Sequence, residues 1–172
     1  MDAARMWFWS TQLQRRGQVR GARLLKALIY LLHGALLEPE AELSEPVIFA
    51  HRGKGVVVHA TTVIEPDVMI YQNVLIAASN DKSEAGDFGV RIRGQAIIGA
   101  GTTIMCPRGR TLTIGRGARI AAGSIVTGDV PDGGVVMPRP SELHRVNPPE
   151  LWPLSMQFES SPAPPPADAG GP

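Results

Sequence analysis

Aliphatic residues recur along this chain at every sixth position. The run reads Val58, Ile64, Ile70, Ile76, then Ile92, Ile98, Ile104, then Ile114, Ile120, Val126, with Leu37, Leu43 and Phe49 at the same spacing upstream. A second series, four residues after the first, selects small or β-branched side chains: Ala41, Val47, Thr62, Val68, Val74, Ala96, Thr102, Ala118, Ser124 and Val130. Self-similarity at a fixed period marks a repeat architecture. An amphipathic helix would need apolar residues three and four apart, and the Gly, Pro and Thr content opposes one. Each hexad is therefore predicted to be one short strand and one turn. The aliphatic residue points inward and the small one gives the next turn room at the corner. Three such sides make a coil of about eighteen residues, and stacked coils pair through their backbones, each shielding the last. Gly99 and Gly115 follow inward residues, where backbone conformations hostile to a Cβ are expected.

The period fails in three places. From Phe49 to Val58 the step is nine, so three residues are extra within "FAHRGKGVV". From Ile76 to Ile92 it is sixteen, read as two hexads plus four, with the excess in the polar stretch "AASNDKSEAGDFGVR". From Ile104 to Ile114 it is ten, one hexad plus four, around "CPRGRT". Insertions in a solenoid become loops on its faces, and such loops often carry the binding site.

Before the repeats, "GARLLKALIYLLHG" predicts a helix of about three turns, with Leu24, Ala27, Leu28 and Leu31 on one face and Gly34 at its C-terminal cap. The expected role of this segment is to pack on the end of the solenoid or on a partner subunit. The alternative is a helix lying on a membrane surface, given Trp7, Phe8, Trp9 and the arginines that follow. The apolar run is too short to span a bilayer, which needs roughly 20 residues. Aromatics precede the basic stretch, which is not the order of a secretory signal. The end of the chain, "ESSPAPPPADAGGP", has the composition of a disordered tail.

Composition adds little. The 44% hydrophobic content suffices for a core, and a net charge of +1 gives no global attraction to nucleic acid. One cysteine, Cys106, excludes an intramolecular disulfide framework and fits a reducing cytoplasm.

The most informative stretch is the first slip. "FAHRGKGVVVHATTVIEPDVMIYQNVLI" resembles the serine acetyltransferases and the short acetyltransferases found with polysaccharide genes, and "IGAGTTI" and "IGRGARIAAGSIVTGDVP" continue the likeness over about residues 37–140. The resemblance implies an all-β solenoid, a left-handed parallel β-helix, preceded by a short helical segment at 1–36 and followed by a C-terminal extension at 141–172. It implies acetyl transfer from acetyl-CoA to the hydroxyl of a serine-like amino acid or a sugar, without a covalent acyl-enzyme and without a metal. It also implies a homotrimer whose small-molecule sites lie between subunits, with no nucleic-acid partner.

His51 matches the family's catalytic histidine. A group titrating near neutrality suits the removal of a hydroxyl proton. Glu38, or failing that Glu40, is expected to orient it, because the family's acid partner falls at Leu36. His59, Gln72, Asp87 and Arg91 are the expected acceptor contacts. Ala77, Ala78, Ala100, Gly101, Ala122 and Gly123 are expected to line the path of the pantetheine arm, where small residues let it approach the backbone. Arg139 is the expected phosphate contact, with Arg116 and Arg119 as alternatives. The chain departs from the family at "GDFGVRI", where the substrate-carboxylate arginine is Phe88 and the second active-site histidine is Gly89. Those losses keep open a non-catalytic scaffold or ligand-binding module. A zinc protein with interfacial histidines ranks last, since His51 and His59 supply at most two ligands.

Overall fold

The structure, a computed structural model, describes residues 2–78 and 89–139. Three parallel sheets form the sides of a prism. The first side holds β1 (Leu36–Leu37), β4 (Val57–Val58), β7 (Leu75–Ala78), β10 (Thr103–Cys106) and β13 (Ile125–Val126). The second holds β2 (Glu42–Leu43), β5 (Thr62–Ile64), β8 (Gly89–Ile92) and β11 (Thr111–Ile114). The third holds β3 (Ile48–Phe49), β6 (Met69–Ile70), β9 (Ile97–Ile98), β12 (Arg119–Ile120) and β14 (Val135–Val136). The chain visits the sides in rotation from β1 to β13, so every strand hydrogen-bonds to strands one coil away.

The register puts like on like. Ile76 lies between Val58 and Ile104, Ile92 between Ile64 and Ile114, and Ile98 between Ile70 and Ile120. Apart from Phe49, which is half-buried, the six-residue series is buried throughout, and so is the whole second series. Each inward aliphatic contributes roughly 1.5–3 kcal/mol by leaving water. Gly99 and Gly115 are constrained by crowding and not by left-handed backbone: a Cβ at either would collide with the turn of the next coil.

The slips resolve as extra chain at corners. Phe49 pairs with Ile70, 21 residues on, where Val58 pairs with Ile76, 18 on. The sixteen-residue step is not two hexads plus four. β7 and β8 lie on consecutive sides, so it is one hexad plus ten, and residues 79–88 lie outside the described residues. Near the end the coil shortens: Val130, expected at a corner, bridges Ile114 on the second side. Residues 140–172, with the expected disordered tail, also lie outside the described residues.

Two helices precede the prism where one is expected: α1 (Ala3–Arg15) and α2 (Val19–His33). Asp2 caps α1 by accepting from the Ala4 N–H at 3.3 Å, and left-handed Gly34 ends α2 as expected. α1 closes the first coil. Trp7 is fully buried, stacks on Phe49 at 6.0 Å and donates from Nε1 to the Glu38 carbonyl at 2.9 Å. The face of α2 that packs is Ala22, Leu25 and Ile29, while Leu24, Leu28 and Leu31 point outward. The helix has two apolar stripes, and the sequence pattern does not say which is inside.

Adjacent positions on one strand should therefore respond very differently to truncation. Ile120→Ala is expected to lower unfolding free energy by about 2–5 kcal/mol. Arg119→Ala, one residue away and exposed, should stay within about 0.5 kcal/mol in the same urea titration.

Candidate functional site

The extra residues of the first slip form a tight turn, Ala50–Gly53, where the chain passes from the third side to the first. Its backbone is unusual. His51 (φ 50°), Arg52 (φ 60°) and Gly53 (φ 71°) are consecutive residues in the left-handed region. For an L-residue this costs roughly 1–2 kcal/mol, so His51 and Arg52 hold it only because the surroundings impose it. On one side Phe49, pinned by Trp7, fixes the start of the turn. On the other, the Asn73 N–H donates to the Lys54 carbonyl at 2.9 Å. Gly55 (φ 69°) presses so closely on Asn73 that any Cβ would collide with its side-chain oxygen.

The turn presents His51 outward. Its ring lies 6.3 Å from that of Tyr71, tilted by 55°, and among the described residues nothing hydrogen-bonds to it. It lines a cavity of about 400 Å³ with Leu32, His33, Gly34, Arg52 and Lys54. The Nε2 of His33 is buried there without a hydrogen-bond partner among the described residues. Pattern reasoning missed His33 and Tyr71. Nothing in the hexad marks them, and His33 reaches the cavity only because α2 ends beside the slip.

The expected pairing of Glu38 with His51 is absent. Both carboxylate oxygens of Glu38 accept from Lys26 Nζ, at 2.7 and 2.6 Å, an ion pair that ties α2 to the end of β1. Glu40 is exposed and accepts from Gln14 at 3.4 Å. The sequence was misleading here because nearness along the chain is not nearness in space: Glu38 follows β1, at the edge of the first side opposite the His51 turn, and α2 supplies it with a cation.

Most of the remaining expected residues fall on two edges of the first side. The edge that carries His51 also carries Gln72, Ala100, Gly101, Ala122 and Gly123. Gly101 donates to the Gln72 carbonyl at 3.0 Å and Gly123 to that of Ala100 at 2.8 Å, so these turns stack in a ridge. The opposite edge carries His59, Ala77 and Ala78. His59 N donates to the Ile76 carbonyl at 3.0 Å, and its Nδ1 faces the Thr61 hydroxyl at 3.0 Å. Ala77 and Ala78 line a mainly apolar cleft of about 410 Å³ with Met105, Cys106, Pro107, Arg108 and Thr127. Arg91 belongs to neither edge. It is exposed on the second side, in a cavity of about 230 Å³ with Glu42, Thr61, Gly89 and Thr111. Arg139 is exposed past β14, and Asp87 lies outside the described residues. Gly89, where the family carries a histidine, has φ 148°, and a Cβ there would collide with the Thr61 carbonyl. The backbone itself excludes a histidine from that position.

No protein-family model matches the chain. Serine acetyltransferase 2 of Arabidopsis thaliana is 33% identical over 150 residues, which cover 87% of this chain and 44% of the relative. The crystal structure of serine acetyltransferase from Brucella abortus strain S19 superposes with a TM-score of 0.69 at 28% identity, covering 80% of this chain and 53% of that one. The same enzyme in complex with coenzyme A matches with a TM-score of 0.65 at 26% identity, covering 80% and 52%. The chain spans about half the length of the relatives it matches. Its fold is thus a left-handed parallel β-helix of hexapeptide repeats, similar to that of the serine acetyltransferases.

If the turn is strained as its dihedrals indicate, glycine should relieve it. His51→Gly is expected to raise stability by about 1 kcal/mol relative to His51→Ala, because glycine alone adopts φ 50° without penalty. Chemical denaturation of the two variants measures the difference, and equal midpoints would contradict it.

Proposed function

We propose that this chain is an acetyl-CoA-dependent O-acetyltransferase in which His51 is the general base. The observation that carries the reading is the turn. A strained loop, three residues out of register, holds an imidazole at a cavity where no intramolecular hydrogen bond from a described residue occupies it. Strain of this kind clusters at functional sites. The likeness to serine acetyltransferases, including one in complex with coenzyme A, supplies the reaction class.

In this reading acetyl-CoA supplies the activated acyl group. A ring nitrogen of His51 accepts the proton of the acceptor hydroxyl as its oxygen bonds to the thioester carbonyl carbon. When the tetrahedral adduct collapses, the C–S bond breaks and the imidazolium returns its proton to the departing thiolate. The products are an acetyl ester and free CoA. The Tyr71 ring, 6.3 Å from that of His51, is its aromatic neighbour at the turn. The charged residues of the cavity, Arg52 and Lys54, are both cations, which suits a serine-like amino acid or a sugar bearing an anionic group. The mainly apolar cleft, which Arg108 also lines, suits a pantetheine arm.

Within one chain that cleft and His51 stand on opposite edges of the first side. A threefold homo-oligomer that sets one chain's cleft against its neighbour's ridge completes the site, and it explains why the small residues expected to contact CoA divide between two edges. The reading places the chain in the cytoplasm, where the lone thiol of Cys106 stays reduced. One observation favours a second reading, a ligand-binding scaffold: Glu38 is committed to Lys26, so His51 lacks an orienting acid among the described residues.

The two readings separate experimentally. His51→Ala is expected to reduce acetyl transfer from labelled acetyl-CoA, across a panel of hydroxyl acceptors, by about 10²–10⁴-fold. It should leave the thermal stabilisation by CoA intact. Undiminished transfer by the variant would refute the mechanism, and no saturable CoA shift in the wild type would favour the scaffold.

A further inference from the structure

We propose that the outer face of α2 docks on an anionic lipid surface. The helix leaves Leu24 (62% exposed), Leu31 (78%) and Leu32 (62%) in solvent, with Leu28 and Tyr30 beside them. Leu24, Leu28 and Leu31 are spaced four and three apart, so they form one continuous stripe opposite the packed residues Ala22 and Ile29. Of the aromatic cluster in α1, Trp7 is buried in the fold and Phe8 half-buried, while Trp9 is exposed.

Charge selects the partner. Up to residue 36 the chain carries Arg5, Arg15, Arg16, Arg20, Arg23 and Lys26 against Asp2, a net +5, so with +1 overall the remainder is −4. Arg15, Arg16, Arg20 and Arg23 are exposed, and none has a carboxylate partner among the described residues. Arg20 and Arg23 sit in the first turns of α2, the end where the helix dipole disfavours cations, and no acidic residue offsets them. A basic amphipathic helix with an apolar stripe is the pattern of a segment lying in a lipid interface. Among the described residues no helix is long and apolar enough to cross a membrane. A second copy is a poorer occupant, since α2 carries no acidic residue and so offers the arginines of a facing α2 no counter-charge. Leu32, His33 and Gly34 also line the His51 cavity, so docking sets that cavity at the lipid surface. That consequence rests on the reading of His51 above; the docking does not.

Sedimentation of the full chain with vesicles tests this. Phosphatidylcholine vesicles containing phosphatidylglycerol should carry the protein down, with binding that falls as salt rises, while phosphatidylcholine alone should bind weakly. Leu24→Ser with Leu31→Ser, and separately Arg20→Glu with Arg23→Glu, should each lower partitioning by roughly tenfold or more. Circular dichroism and a urea titration check that both variants remain folded. Equal binding by wild type and both variants, or no binding to anionic vesicles, overturns the proposal. So does a light-scattering mass that drops on the leucine substitutions while the wild type ignores vesicles, which would make the face a self-association surface.

Discussion

Every coil of this prism satisfies its backbone only through its neighbours. The strands are two to four residues long and have no partner within their own coil, so hydrogen bonding forces the inward residues of successive coils into register. That constraint explains the composition. Inward positions must be aliphatic and of similar size, corner positions must be small, and some turn residues must be glycine because the next coil lies against them. It also explains why departures from the period are confined to corners. Extra chain at a corner leaves the ladder intact, whereas extra chain within a strand would turn inward residues outward.

The first coil has only one neighbour in the prism, and α1 takes the place of the other. Trp7 lies over Phe49, whose position fixes the start of the turn that carries His51. The capping helix thereby does two things at once: it covers the open end of the solenoid and imposes a left-handed backbone on the residue with the most evident chemistry. A strained turn can be held at the end of a stack because the strain is offset by burial on both sides of it. The same helical segment turns a second apolar stripe toward solvent.

The inward ladder was legible in the residues because a six-residue period allows little else, and the three-residue slip at His51 was legible because three cannot be absorbed into hexads. The ten-residue insertion after Ala78 was not, since sixteen residues divide as readily into two hexads plus four as into one plus ten. Only the pairing of β7 and β8 with consecutive sides decides between them. The outward leucines of α2 were read as the packed face because periodicity reports that a stripe is apolar and not what it meets. The Glu38–Lys26 pair and the placing of His33 beside His51 depend on how α2 lies against β1, which no local pattern encodes. Gly89 was visible as a departure from the family, but its cause, the approach of Thr61, needed the neighbouring coil.

The central claim is that the strained turn is a chemical centre and that the chain completes it with a second copy. A crystal structure with CoA bound tests this most directly. The account predicts the pantetheine arm along the Ala77–Thr127 cleft of one chain, with its thiol within hydrogen-bond reach, directly or through one water, of His51 of a neighbouring copy. CoA bound away from both edges, or a monomer with its thiol remote from any His51, would contradict it.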